Sequence, residues 1–455
     1  MPATRAIAAG MSPLPHSNDV SRSDILSTIE TSRRGFLTGI GALGAAAALG
    51  GCATATQTGG AAQQGGAVTL QSDLSSPLAE KAMGALVAAY NKQSKYTVKL
   101  NTVAATTYQP LLPTYLTSAN PPDIYTWYAG SDANHYASRG LLLDVSKVWQ
   151  ASSMSQYSTA LKTLSTDTAG DQIFVPTDYY WWGVFYRKSQ FAKWGLSEPT
   201  TWAEFLHVCE TIKSKNVIPI GLGAGTGTAW VASAWFDYFD IRLNGAQYHR
   251  DLLAGKHSFT DPQVVEIFNT WKQVLPYFDP NGTAVSWQEA SNQLIQGQSG
   301  MLLTGTFFAD AVPAGSLDDL DFFKFPVIDP SVPDAEEAPT DGLFATSHTH
   351  NAAAVMDFMT WMTTPTAQNL WTATSSGTVI PANPQAKSPA TPLVTKGKAM
   401  LAAASELTQF FNRDSTDALQ NTANTALVDY IQNPGKLNSI LATWQSQAEQ
   451  VWKSS

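Results

Sequence analysis

An acid and four aromatic rings occupy five consecutive positions, Asp178-Tyr179-Tyr180-Trp181-Trp182. Four rings in a row match neither the helical nor the strand period, so they cannot all face one core. Trp181 and Trp182 are expected to point opposite ways. Exposed rings need a flat apolar partner, and sugar rings supply one. A carboxylate beside them accepts two hydroxyl hydrogens without doing chemistry, which suits Asp178. Asp73 is a second such acid, in the loop that follows a first strand, where open α/β sheets place their ligands. Phe410-Phe411-Asn412-Arg413-Asp414 is a late polar-aromatic loop able to close a cleft, with Phe411 and Arg413 as candidate contacts. Micromolar affinity needs about −8 kcal/mol. Stacking that buries ~100 Å² of apolar area per ring gives roughly 2.5 kcal/mol each, so three or four rings reach that gross scale before ordering entropy is subtracted.

Other chemistries find less support. His348 and His350 are one residue apart and lack a Cys or acidic partner at metal-ligand spacing. No Gly-x-Ser-x-Gly elbow is present. Gly221 to Thr228 alternates glycine, but Thr226, Thr228 and Trp230 stand where a third glycine of a dinucleotide loop belongs, and no Gly-Lys-Ser/Thr follows. That stretch reads as a flexible connection bringing backbone, or Trp230, close to a ligand. No cofactor is expected. A glycan hydrolase or lyase needs two carboxylates flanking a bond, and 36 acidic residues leave such a pair open. A polyamine ligand would need several desolvated carboxylates, where the aromatic run carries one.

The elements that must hold these groups alternate strand and helix. Val68-Thr69-Leu70 is a strand, Leu78 to Tyr90 an amphipathic helix and Tyr96 to Val103 a second strand. Pro121 to Trp127 forms a third. Val184-Phe185-Tyr186 reads as a buried strand, and Thr200 or Thr201 caps the helix carrying Phe205, Leu206 and Val208. Cys209 is a buried small apolar residue in that helix. Trp230 to Phe239 is a helix whose Asp237 and Asp240 are expected to be solvated. Trp287 to Gly297 and Asn351 to Met362 are further helices, and Trp444 and Trp452 pack near the end. Such alternation defines an α/β protein, and 455 residues suffice for two domains.

Charged residues are only 14% and aromatics 11%, with net charge −9 and no basic run. That argues against nucleic acid as a partner and suits a protein meeting neutral polar ligands. Ser32-Arg33-Arg34-Gly35-Phe36-Leu37 fits a twin-arginine export pattern. Gly35 to Leu49 is too short and too weakly apolar to span a membrane but right for a signal core. Leu49-Gly50-Gly51-Cys52 resembles a bacterial lipobox, with Cys52 the lipidated residue. Residues 53–66 read as a flexible tether.

Several motifs in order resemble the carbohydrate-binding class of ABC-transporter solute-binding proteins, the group that includes maltodextrin-binding proteins. They are Pro121-Pro122-Asp123-Ile124, Gly140-Leu141-Leu142-Leu143-Asp144, Phe185-Tyr186-Arg187-Lys188 before Pro199-Thr200-Thr201-Trp202, Gly300-Met301 to Phe307, Asp341-Gly342, and Pro365-Thr366-Ala367-Gln368. Arg187 replaces the usual Asn, Phe307 a cleft Trp, and Asp341 one glycine of a pair. The resemblance implies a two-lobed periplasmic-binding-protein fold of type II, each lobe a mixed sheet flanked by helices. Lobe 1 would comprise residues 67–177 and 342–378, and lobe 2 residues 178–341 and 379–455, closing about crossings near Thr177, Asp341 and Val379. It implies Trp127, Tyr180, Trp181, Trp182, Trp230 and Phe307 as stacking rings and Gly342 as a further ligand contact. Asp73, Asp178 and Arg413 would supply hydrogen bonds. A monomer held outside the cytoplasmic membrane by its lipid would deliver a sugar or oligosaccharide to the permease subunits of an ABC importer.

Overall fold

The computed structural model describes residues 67–313, 315–374 and 378–454; the signal, the tether and Cys52 lie outside them. Twelve strands are found among the described residues: β1 Val68–Ser72, β2 Val98–Thr102, β3 Ile124–Tyr128, β4 Val175–Tyr179, β5 Trp182–Arg187, β6 Ile218–Gly221, β7 Ser299–Gly305, β8 Leu320–Phe323, β9 Ala335–Glu337, β10 Thr340–Ala345, β11 Ile380–Pro381 and β12 Glu406–Thr408. They form three sheets. The first runs β11-β4-β10-β3-β1-β2, the second β6-β7-β5-β8, and β9 pairs with β12 alone.

In the first sheet β1 runs parallel to β2 and β3, because the long helices Pro77–Gln93 and Ala105–Leu116 carry the chain back between them. The strand β10 enters antiparallel between β3 and β4. Only Tyr180 and Trp181 separate β4 of the first sheet from β5 of the second. Ala338 and Pro339 likewise separate β9 from β10. The chain therefore passes between sheets at two adjacent points, tied by Tyr180 N–H donating to the Pro339 carbonyl at 3.1 Å.

Sequence signals explain the local ends. Thr201 caps the helix Trp202–Lys213 with the reciprocal Glu204 contact of a capping box, and Ser286 with Glu289 does the same for Trp287–Gln296. Cys209 is fully buried in the first of these. Trp444 is buried against Phe259, with ring centroids 3.8 Å apart.

Two expectations are corrected. The helix Val231–Leu243 is buried on every side, against the helices Pro262–Trp271, Ala246–Leu253 and Asp417–Gln432. Asp237 and Asp240 are therefore fully buried rather than solvated. The glycines after β6 serve packing: a Cβ on Gly223 or Gly225 would lie 2.5 or 2.7 Å from the backbone of residues 285–287. Among the described residues, no helix is long and apolar enough to cross a membrane.

Candidate functional site

Parallel pairing of β1 and β3 brings their carboxyl ends to one edge, and antiparallel β10 starts there. Asp73 follows β1 directly. Its backbone N–H donates to Thr126 Oγ1 at 3.0 Å, and that hydroxyl donates back to Asp73 Oδ1 at 2.7 Å. Asp341, near the start of β10, pairs in register with Tyr128 at the end of β3. Arg413 arrives from the far end of the sequence. Its Nη1 meets Asp341 Oδ1 at 2.8 Å, its Nη2 donates to the Tyr180 hydroxyl at 3.0 Å, and its guanidinium lies 4.0 Å from the Tyr128 ring centroid. Arg413 also accepts the Ser131 N–H on its carbonyl at 2.6 Å. Gly130 makes that approach possible: it has φ +112°, and a Cβ there would sit 2.5 Å from the Arg413 carbonyl oxygen.

Burial governs the charges of this polar face. Desolvation, with Asp341 adding, pushes Asp73 up to about 6 against the opposing Thr126 hydrogen bond and Arg413. Burial also raises Asp341, with Arg413 pulling the other way. Gln109 Nε2 donates to the Tyr128 hydroxyl at 2.5 Å, and Asn101 Nδ2 donates to Gln71 Oε1 at 2.7 Å, so further amides border the same edge.

An aromatic face adjoins it. Phe307 is the hub, with ring centroids 5.9 Å from Tyr180, 5.7 Å from Trp182, 5.9 Å from Trp230 and 5.3 Å from Trp287. Trp182 stacks on Phe410 at 5.0 Å and 17°. Trp230, Trp287 and Phe307 remain half-buried, whereas Tyr180, Trp182 and Phe410 are buried. Tyr180 joins the faces, touching Arg413 through its hydroxyl and Phe307 through its ring edge.

The structure thus gathers Asp73, Tyr180, Trp182, Trp230, Phe307 and Arg413 around one region. Asp178 is buried on β4, opposite Asp341 in register, and accepts the Thr177 hydroxyl at 2.8 Å. Gly342, opposite Trp127 and Pro176, permits the close pairing of β10 with β4 at a shift in register, since a Cβ would lie 2.2 Å from the Val175 oxygen. Trp127 is buried, its Nε1 donating to Asp132 Oδ2 at 2.8 Å and its ring stacking on Tyr128. Trp181 and Trp182 do face opposite ways, in different apolar clusters. Trp181 packs on Phe322 and Gly397, away from the other rings. Phe411 packs into the core against Phe236 and Trp444. Sequence reasoning passes over Thr126, Tyr128, Trp287 and Phe410 as site residues and notes Asp341 only as a replaced glycine at a crossing. Tyr128 was the most accessible of these, since it adjoins Trp127 at the same strand end.

The chain passes between two sheets at a polar and aromatic cluster, an arrangement able to hold a small solute. The chain belongs to the bacterial extracellular solute-binding protein family, whose model matches residues 75–369. An ABC transporter extracellular-binding protein of Pyrococcus horikoshii is 23% identical over 198 residues, 43% of this chain and 44% of that protein; the chain thus spans less than half of that relative's length. Among solved structures, the bacterial solute receptor AcbH, with an exclusive preference for β-D-galactopyranose, superimposes with a TM-score of 0.80 and 26% identity, over 85% of this chain and 99% of that one. A chitin oligosaccharide binding protein gives a TM-score of 0.78 at 22% identity, over 86% and 100% of the two chains. The two-lobed type II fold expected from the sequence is the fold found.

Proposed function

We propose that the protein captures a sugar or short oligosaccharide outside the cytoplasmic membrane and presents it to an ABC importer. The observation that carries this reading is the meeting of one hydrogen-bonding face, Asp73, Asp341 and Arg413, with one aromatic face, Trp182, Trp230, Trp287 and Phe307. Sugars have this dual character, with apolar C–H faces for rings and hydroxyl edges for charged acceptors and donors. The sugar preferences of the similar receptors support it.

Residues 67–177 with 342–378, and 178–341 with 379–455, act as the two lobes, and closing brings the faces together. Binding involves no covalent step. The closed form docks on the permease subunits, and Cys52 carries the lipid that keeps a monomeric receptor at the membrane.

The test is a thermal-shift screen of residues 67–455 against mono- and oligosaccharides, polyamines and peptides, with any sugar that binds checked for breakdown. A large upward shift with one sugar class, recovered intact, is the expected result. Cleavage of that sugar, abolished in Asp178→Asn, would replace the reading with a glycan-active enzyme, and a shift with polyamines alone would sink the sugar assignment.

A further inference from the structure

Trp127 is buried where the sequence led us to expect a stacking ring, and neither it nor its partner Asp132 has a part in the proposed sugar contacts. Together they reach the segment that carries Arg413. Trp127, on β3, donates its Nε1–H to Asp132 Oδ2 at 2.8 Å. The other oxygen of that carboxyl, Oδ1, accepts the backbone N–H of Asp417 at 3.2 Å. Asp417 opens the helix Asp417–Gln432, four residues after Arg413. One residue before Asp132, the Ser131 N–H donates to the Arg413 carbonyl at 2.6 Å. Residues 131 and 132 therefore hold both ends of the segment 413–417, one through its backbone and the other through its carboxyl.

Local structure explains how the chain can do this. Ser131 and Asp132 open the helix Ser131–Ser138, and the first N–H groups of a helix have no partner within it. The Ser131 N–H is thus free to take a carbonyl from elsewhere. Gly130, at φ +112°, lets that carbonyl approach. At the far end, Asn412 Nδ2 donates to Asp417 Oδ1 at 3.0 Å, and Thr416 Oγ1 accepts the Leu419 N–H at 3.2 Å. Burial, with the charge of Asp417 adding, pushes Asp132 well above the ordinary carboxylate range, and the Trp127 and Asp417 N–H groups work against that.

Arg413 is the side chain that this clamp places. Its guanidinium lies over Tyr128, the residue after Trp127, and meets Asp341 and Tyr180. The end of β3 therefore supplies the ring beneath the guanidinium and, through Trp127 and Asp132, a hold on the segment from which Arg413 projects.

We propose that Trp127 and Asp132 are positioning residues: the indole fixes the Asp132 carboxyl, which with the Ser131 N–H clamps residues 413–417 and sets where the Arg413 guanidinium lies. The consequence for sugar capture rests on the proposed contact of Arg413 with the sugar; the clamp itself does not.

The test uses the full chain without sugar, so it stands or falls apart from the sugar reading. Trp127→Phe keeps a ring and removes the indole N–H, while Asp132→Ala removes the acceptor. Hydrogen-exchange protection of the Ser131 and Asp417 amides should fall roughly three- to tenfold in each variant, the change in local opening that one lost hydrogen bond brings. Amides of the helix Trp202–Lys213 should keep their protection. In nitrogen-15 spectra the Arg413 Nε–H signal, shifted by the Tyr128 ring, should move toward that of an exposed arginine in both variants. Adding Trp127→Phe to Asp132→Ala should cost the Asp417 amide nothing further, because the indole acts through the carboxyl. Unchanged Asp417 protection in Asp132→Ala would overturn the clamp, and additive losses in the double variant would overturn the relay from Trp127. An Arg413 signal that stays in place while both amides lose protection would overturn the positioning role.

Discussion

Asp73→Asn isolates the cost of burying a carboxyl in the proposed ligand site. Asp73 is pushed from an ordinary 3.8 up to about 6, chiefly by burial. At about 1.4 kcal/mol per pH unit, its ionised form is disfavoured in the folded protein by about 3 kcal/mol. Because the folded value lies above the unfolded one, the penalty is absent below the unfolded value, where both states are neutral. It grows as pH rises from about 4 to about 6, where only the unfolded chain ionises, and is complete above that. Asn keeps an oxygen to accept the Thr126 hydroxyl, so the local hydrogen bonding of Asp73 survives. Urea unfolding from about pH 4 to about pH 8 should show the variant gaining on wild type through this window, by up to about 3 kcal/mol, then holding level. The same variant should bind the sugar roughly ten- to a hundredfold more weakly at neutral pH, since a charge-assisted hydrogen bond is replaced by a neutral one. A stability difference that stays flat across pH would refute the burial argument, and unchanged affinity would remove Asp73 from the ligand site.

Three further outcomes follow from single contacts. Gly397→Ala would put a Cβ 2.4 Å from the Trp181 indole, so overpacking should cost about 1–3 kcal/mol in denaturant unfolding with sugar affinity unchanged; weaker binding would show that Trp181 reaches the ligand after all. His249, raised to about 9, contributes stability that is full below its unfolded value of about 6.5 and lost as pH rises through about 9, so wild type and His249→Gln should converge over that window in thermal unfolding. Thr201→Ala removes the cap accepting the Glu204 N–H and should cost about 1 kcal/mol in chemical denaturation, with titration calorimetry showing the same ligand affinity.

The strand and helix order could be read from the sequence because each element carries its own signal. The apolar run Val184-Phe185-Tyr186 and the Thr201–Glu204 box are local, and the structure keeps both. The opposed faces of Trp181 and Trp182 follow from a run of rings that cannot all share one core. What local pattern could not supply is the partner across the fold. Asp237 and Asp240 stand on a mostly apolar helix and read as a solvated face; Phe411, the partner of Asp237, lies 174 positions away, beyond any window of sequence, and His249 reaches Asp240 only through the packing of the next helix. The glycines of residues 221–227 read as a flexible connection, but those at 223 and 225 are required because a second stretch of backbone, 285–287, lies against them. Asp341 stood out only as a missing glycine, and its value as the mate of Arg413 depends on a residue 72 positions later.

That long-range pairing also bears on how binding would be coupled to closure in the proposed receptor. Arg413 holds Ser131 through its carbonyl, Asp341 through Nη1 and Tyr180 through Nη2, and those three partners belong to three separate stretches of chain. If the two proposed lobes part at this region, opening would let Asp73 and the pair regain hydration. Closing without ligand would then bury Asp73 against a penalty of at most about 3 kcal/mol, reckoned from the unfolded chain near neutral pH. A sugar hydroxyl donating to Asp73 offsets that penalty only when the cleft is closed, so the ligand favours the closed form by the difference it makes there and nowhere else. An offset of about 3 kcal/mol changes the open-to-closed ratio by a factor on the order of a hundred. On this view the buried acid is a threshold that keeps the empty receptor from presenting the closed shape to the importer. Asp73→Asn should lower it, and small-angle scattering of the ligand-free variant should then show a more compact average than wild type at neutral pH, with the two alike near pH 4.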